Sequence, residues 1–162
     1  MILRKEQVWV LLRLGMGWIF LWAFFDKLFG LSFATTPDKS WLAGGSPTYG
    51  FLKFATYGPL ASFYHSLAGS VVVDWLFMLG LLGVGTALIL GIVTRIASYA
   101  GIIMMILMWS ALLPPKNNPF LDEHIIYALV LLSLSTVRAG QWFGLGKWWS
   151  KTRLVKKYPI LE

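Results

Sequence analysis

The chain of 162 residues has no cysteine, only two histidines and only seven acidic residues. The missing cysteine excludes disulfides, iron–sulfur ligation, thiol catalysis and S-palmitoylation. With one histidine at position 65 and the other at 124, haem held between two spanning helices is not expected. There is no glycine fingerprint in a strand–helix context, no Walker motif and no zinc spacing, so no metal site is expected. The sequence thus carries no evident electron carrier of its own. A redox role would need substrate and acceptor to meet in one pocket, or a partner subunit. Charge is scarce too, at 13% of residues against about 25% in soluble domains.

Apolar sequence fills the chain instead, at 57% of residues. Four long apolar segments, about 8–31, 71–93, 96–113 and 119–143, are candidate spans. The expected fold is an all-α integral membrane protein: one domain, 1–162, a four-helix transmembrane bundle. An outer loop, 32–70, follows the first helix, and a basic tail, 144–162, follows the last. Residues 1–31 read as a retained helix, because the apolar run is too long for a cleaved signal and no A-x-A-like site follows.

The first segment organises the rest. Arg13 and Asp26 lie about 20 Å apart along a helix, so they mark two polar layers of a membrane core about 30 Å thick. Gly15, Trp18, Trp22, Asp26 and Phe29 share one stripe. Two readings are open: a face turned to a partner helix or ligand, or ordinary packing with Asp26 at the water boundary. The second segment holds Gly80, Gly83, Gly85 and Gly91, small residues that let helices approach closely. Only Thr94-Arg95 separates it from the third, which predicts a tight hairpin. Met104, Met105 and Met108 read as adaptable core. Asn118-Pro119 predicts the start of the fourth helix, with Asn118 as cap.

Alternating spans put ten basic residues on one side: Arg4, Lys5, Arg13, Arg95, Arg138, Lys147, Lys151, Arg153, Lys156 and Lys157. Only Glu6 and Glu162 oppose them there. The other side has four lysines against five carboxylates. The positive-inside rule then places both termini in the cytoplasm of a multi-pass cell-membrane protein. The tail, with Trp148-Trp149, reads as an anchor to anionic lipid. That accounts for the net charge of +7 without nucleic acid.

The outer loop has helix-start signals at Thr36-Pro37, Ser46-Pro47 and Gly58-Pro59. Phe51, Phe54, Tyr57, Phe63 and Tyr64 are too apolar for a free aqueous loop. Short interfacial helices covering the bundle mouth are expected, with helix over Pro47–Thr56 and Gly44-Gly45 as a hinge.

Chemistry-bearing residues gather in two layers. Asp26, Lys27, Asp74, Asp122 and His124 fall in the outer one, Arg13 and Arg138 in the inner one. His124, Tyr127, Leu131, Ser135 and Arg138 share one face of the fourth helix, and a polar stripe in a membrane helix should face the bundle interior. His124 is expected within reach of Asp26 or Lys27. Plainer roles stand beside each: snorkelling for the arginines, helix capping for Asp74 and Asp122, a carboxylate partner for His124.

Leu12–Leu31, Trp41–Leu52, the turn Gly91–Arg95 and Asn117–Leu132 together resemble the DoxX/DoxD family over most of residues 10–146. The G-G-S-P-T and N-N-P-x-x-D-x-H patterns resemble its DoxD-like branch. That branch is similar to the membrane subunit of thiosulfate:quinone oxidoreductase. The resemblance implies a four-helix membrane bundle, quinone as electron acceptor, thiosulfate as donor and a second small subunit. A quinone head needs hydrogen-bond donors, for which Lys27, His124 and Tyr127 are candidates, with Asp26 or Asp122 relaying protons. Trp18 and Trp22 would line its slot, and Lys27 or Arg13 would meet a dianionic substrate. The other reading is a non-enzymatic membrane protein: a binder of lipid or a small hydrophobe, a homo-oligomer, or an assembly partner of a redox enzyme.

Overall fold

The structure, a computed structural model, describes residues 4–161. Glu162, counted above in the charge balance, lies outside them. Most of the described residues are helical, with no strand among them: α1 at Lys5–Phe29, α2 at Ala61–Leu67, α3 at Val71–Leu90, α4 at Thr94–Ala111, α5 at Glu123–Val137, α6 at Gly146–Trp149 and α7 at Arg153–Lys157. Three of these, α1, α3 and α4, are long and apolar enough to cross a membrane. The fourth expected span is shorter than the sequence pattern suggested. It covers 15 residues rather than the whole of 119–143.

That helix also begins later. Asn118 does not cap it. Its side chain instead accepts the amides of Phe120 and Leu121 in a bend. Asp122 is the cap, accepting the amides of His124 and Ile125. Aspartate is as good a cap as asparagine, and it lies nearer the apolar run. At the other end Arg138, in the left-handed conformation at φ 50°, stops the helix.

The four main helices close a ring: α1 packs on α3, α3 on α4, α4 on α5, and α5 back on α1. Each contributes one stripe at helical spacing. On α1 it is Arg13, Met16, Gly17 and Phe20; on α3, Met78, Leu81, Val84 and Leu88; on α5, Ala128, Leu131 and Leu134. In α4 the stripe runs Ala97, Ser98, Gly101 and Met105. Glycine sets the closest approaches. A Cβ on Gly85 would meet the Gly17 carbonyl oxygen of α1 at 3.0 Å. Of the other expected contact glycines, Gly80 lies against Met104, Gly91 ends α3, and Gly83 faces open space.

The expected hairpin between α3 and α4 is present. Gly91 and Val93 both take left-handed conformations there. The chain after α5 returns to this turn: a Cβ on Gly140 would strike the Gly91 carbonyl oxygen, and Leu145 N donates to Leu90 O at 2.8 Å. The tail therefore docks at the α3–α4 turn. This brings Lys147, Lys151, Arg153, Lys156 and Lys157 to the same end as Arg95.

Arg13 ties that end together. Its side chain is wholly buried, and its guanidinium donates to the carbonyls of Leu88, Ile89 and Phe143. Leu88 and Ile89 are in the last turn of α3, where carbonyls lack intrahelical partners and the helix dipole favours a cation. Arg13 thus points into the packed interior rather than out to the surface. Arg13→Ala leaves these acceptors unpaired, at about 1–3 kcal/mol each where water cannot reach. It should lower the melting temperature in detergent far more than Arg95→Ala does, and equal melting temperatures would dismiss the tie.

Candidate functional site

The crossover from α1 to α3 is held by two buried carboxylates. Asp26, near the end of α1, accepts the amides of Phe33 and Ala34 at 3.1 and 3.0 Å. Successive backbone N–H groups make a fitting anion cradle. Asp74, in the first turn of α3, does not cap its own helix. One of its oxygens accepts from Ser46 Oγ (2.9 Å), Thr48 N (3.1 Å) and Thr48 Oγ1 (2.6 Å). Hydrogen bonds to an ionised acceptor are short and strong, and here they pull the loop onto the bundle.

The expected helix over Pro47–Thr56 is partly found. Pro47 and Thr48 form a turn, and one turn of π-helix follows at Phe51–Ala55. At Thr36-Pro37 a short 3-10 turn starts as the proline signal indicates, whereas α2 starts two residues past Pro59. Held this way, the loop roofs an apolar chamber of about 450 Å³ between α3, α4 and the end of α1. Thr48, Phe51 and Leu52 come from the loop, Phe63 and Tyr64 from α2, Phe77 from α3, and Met104 and Met108 from α4. Lys27 enters from α1, with Nζ 5.9 Å from the centre of the Phe77 ring. Ligand sites are typically concave, mostly apolar and furnished with a few polar groups. This chamber has that form.

The expected constellation is distributed differently. His124 Nδ1 meets Asp122 Oδ2 at 2.9 Å, and the other Asp122 oxygen caps α5. Asp26 is engaged by loop amides, and no hydrogen bond joins Asp26 or Lys27 to His124 among the described residues. Asp122, Glu123 and His124 bring possible metal-ligand atoms within 4.8 Å of one another, but the Asp122 oxygens are already committed to the cap and to the imidazole. Beside them is a cleft of about 410 Å³ bordered by Lys116, Asn118, Asp122 and Glu123. His124, Leu131 and Ser135 do face inward, Tyr127 is half-buried, and Arg138 is exposed.

The tryptophan stripe of α1 points away from the ring. Trp18 is 53% exposed. Trp18, Trp22 and Phe33 floor a separate surface groove of about 480 Å³, with Trp22 and Phe33 edge to face at 4.9 Å. The inward stripe of α1 is the opposite one, and it is Lys27, not the tryptophans, that reaches the chamber. The loop aromatics were the sequence's one signal for this chamber. Nothing in it paired Asp74 with Ser46 and Thr48.

No protein-family model matches the chain, and neither a curated protein nor a solved structure matches it.

If the Asp74 carboxylate holds the roof, Asp74→Ala should free residues 46–56. Amide exchange at Thr48 and through the π turn should quicken by at least about tenfold, the equivalent of 1.4 kcal/mol of lost local protection. Exchange in the core of α5 should be unchanged. Unchanged exchange at Thr48 would mean that the roof is held by its apolar contacts alone.

Proposed function

We propose that this chain is a four-helix integral protein of the cell membrane, both termini cytoplasmic, that binds a small hydrophobic molecule in the roofed chamber. The molecule is a quinone, and the chain is the quinone-binding membrane subunit of an oxidoreductase of the thiosulfate:quinone type. The observation that carries this reading is the chamber itself: a partly open cavity lined by apolar and aromatic side chains, sized for a small ligand and furnished with one ammonium group. Lys27 Nζ would donate to a quinone carbonyl oxygen, Phe77 would lie beside the ring, and Met104 and Met108 would adapt to the isoprenoid tail. The resemblance of Leu12–Leu31 and Asn117–Leu132 to DoxX/DoxD proteins supports quinone over other hydrophobes.

Thiosulfate oxidation belongs on a second subunit in this scheme. A dianion needs clustered cations, and the loop end carries four lysines against five carboxylates. A second reading, a binder or assembly partner without catalysis of its own, is favoured by one observation. Asp26, Asp122 and His124, the acid–base candidates, are each engaged in local structure.

A short-chain quinone should raise the melting temperature of the purified chain saturably. Phe77→Ala should weaken that binding about tenfold or more, a loss of 1.4 kcal/mol, while Trp18→Ala in the outer groove leaves it intact. Equal effects of the two substitutions would move the site out of the chamber. Thiosulfate-dependent quinone reduction should appear only with a co-purifying subunit, and turnover by the isolated chain would contradict that division.

The topology is checked separately. In this cysteine-free chain, single cysteines at Lys39 and Lys147 should label from opposite faces of intact cells. Labelling of both from one face would refute the alternating arrangement.

A further inference from the structure

Lys27 stands out among the polar groups that line the chamber. Thr48 Oγ1 is committed to Asp74, and the Tyr64 hydroxyl lies 3.0 Å from Leu107 O and 2.5 Å from Ser110 Oγ. Among the described residues, Lys27 Nζ has no hydrogen-bond acceptor and no carboxylate within ion-pairing distance, and it lies 5.9 Å from the centre of the Phe77 ring. The neighbouring Asp26 makes no hydrogen bond to it among the described residues; its two oxygens accept the amides of Phe33 and Ala34. An ammonium group in apolar surroundings without a counter-charge is costly, and a ligand that brings one is correspondingly favoured.

The rim says how such a ligand arrives. Phe63, Leu76 and Leu107 border the chamber and are 58%, 67% and 52% exposed. Exposed apolar side chains around an apolar opening, two of them on the long apolar helices α3 and α4, put the opening against lipid. The ligand is therefore carried in the bilayer and not drawn from water.

We infer that the chamber selects an amphiphile by its oxyanion head: an ionised oxygen paired with Lys27 Nζ, on an apolar body lying along Phe77, Met104 and Met108. This rests on the chamber being the ligand site, as proposed above, but not on the ligand being a quinone. The same chemistry is offered by a single-chain carboxylate and by an ionised hydroxyquinone.

The test uses the full chain in phosphatidylcholine nanodiscs and two matched pairs of probes, followed by calorimetry and melting temperature. One pair is dodecanoate and dodecanol. The other is a 2-hydroxy-3-alkyl-1,4-naphthoquinone, ionised at neutral pH, and its 2-methoxy counterpart. Within at least one pair the anion should bind about tenfold or more tightly than its neutral partner. Lys27→Met should erase that preference while changing the neutral partner's affinity by less than about threefold, and Lys27→Arg should keep it. If Lys27→Met does not fold, the preference within each pair and its retention in Lys27→Arg still decide the matter.

Preference in the dodecanoate pair with neither naphthoquinone bound supports the inference and removes the quinone reading. Preference in the naphthoquinone pair supports both. Equal binding of ionised and neutral naphthoquinones, indifferent to Lys27→Met and with no preference in the dodecanoate pair, overturns the inference and leaves the quinone reading in place. No binding by any probe overturns both.

Discussion

A buried guanidinium among backbone carbonyls is the contact on which this fold most depends. Arg13 lies about a third of the way along the first helix, and among the described residues no carboxylate pairs with it. Its charge is met by Leu88 and Ile89 at the end of α3, where the dipole is negative, and by Phe143 in the returning tail. Two other stretches of chain, the end of α3 and the returning tail, are thereby fixed to α1 through one side chain. The glycines around it follow from the same crowding. A Cβ at Gly91 would come within 2.8 Å of an Arg13 nitrogen, and one at Gly144 within 3.4 Å of another. Asp26 and Asp74 perform the complementary task at the opposite end, as anions gathering backbone and hydroxyl donors from the crossover. Most intramembrane charge in this protein thus serves to hold irregular backbone in place, which is what such backbone requires where water is scarce.

That use of charge explains where the sequence was legible and where it was not. Helix positions followed from apolar runs, and the tight α3–α4 turn followed from Gly91 and Thr94-Arg95. The limits of α5 did not, because Asn118-Pro119 and Asp122 are competing start signals, and the competition is settled by which one reaches the free amides. Helical spacing identified the two faces of α1 but not which of them was inward. The aromatic stripe with Trp18 and Trp22 drew attention, yet the stripe bearing Arg13, Gly17 and Phe20 is the one that packs, with Gly17 admitting Ile89 of α3 closely.

The site was less legible than the fold for a related reason. Depth along the helices grouped Asp26, Lys27, Asp74, Asp122 and His124 in one layer, but depth does not specify partners. Each carboxylate found its donors locally or in the crossover: Asp26 seven and eight residues onward, Asp122 two and three residues onward. Asp74 reaches back across 26 residues to Thr48. With these groups satisfied, Lys27 is left as the polar group facing the apolar chamber. Its distinction arises from the commitments of its neighbours, which no spacing rule reveals.

The unequal lengths of the four main helices bear on the bilayer itself. At 1.5 Å per residue, α1 is about 37 Å long, α3 about 30 Å, α4 about 27 Å and α5 about 22 Å. If all four cross, α1 matches a hydrocarbon layer about 30 Å thick with room to tilt, while α5 falls short of it. Lipid beside α5 must thin, or the flanking segments around Phe120 and Trp142 must sink into the headgroup region. Either response carries a cost that rises with membrane thickness. The protein would then be sorted by hydrophobic mismatch toward thinner membranes, with the flank bearing α5 as the sensing edge.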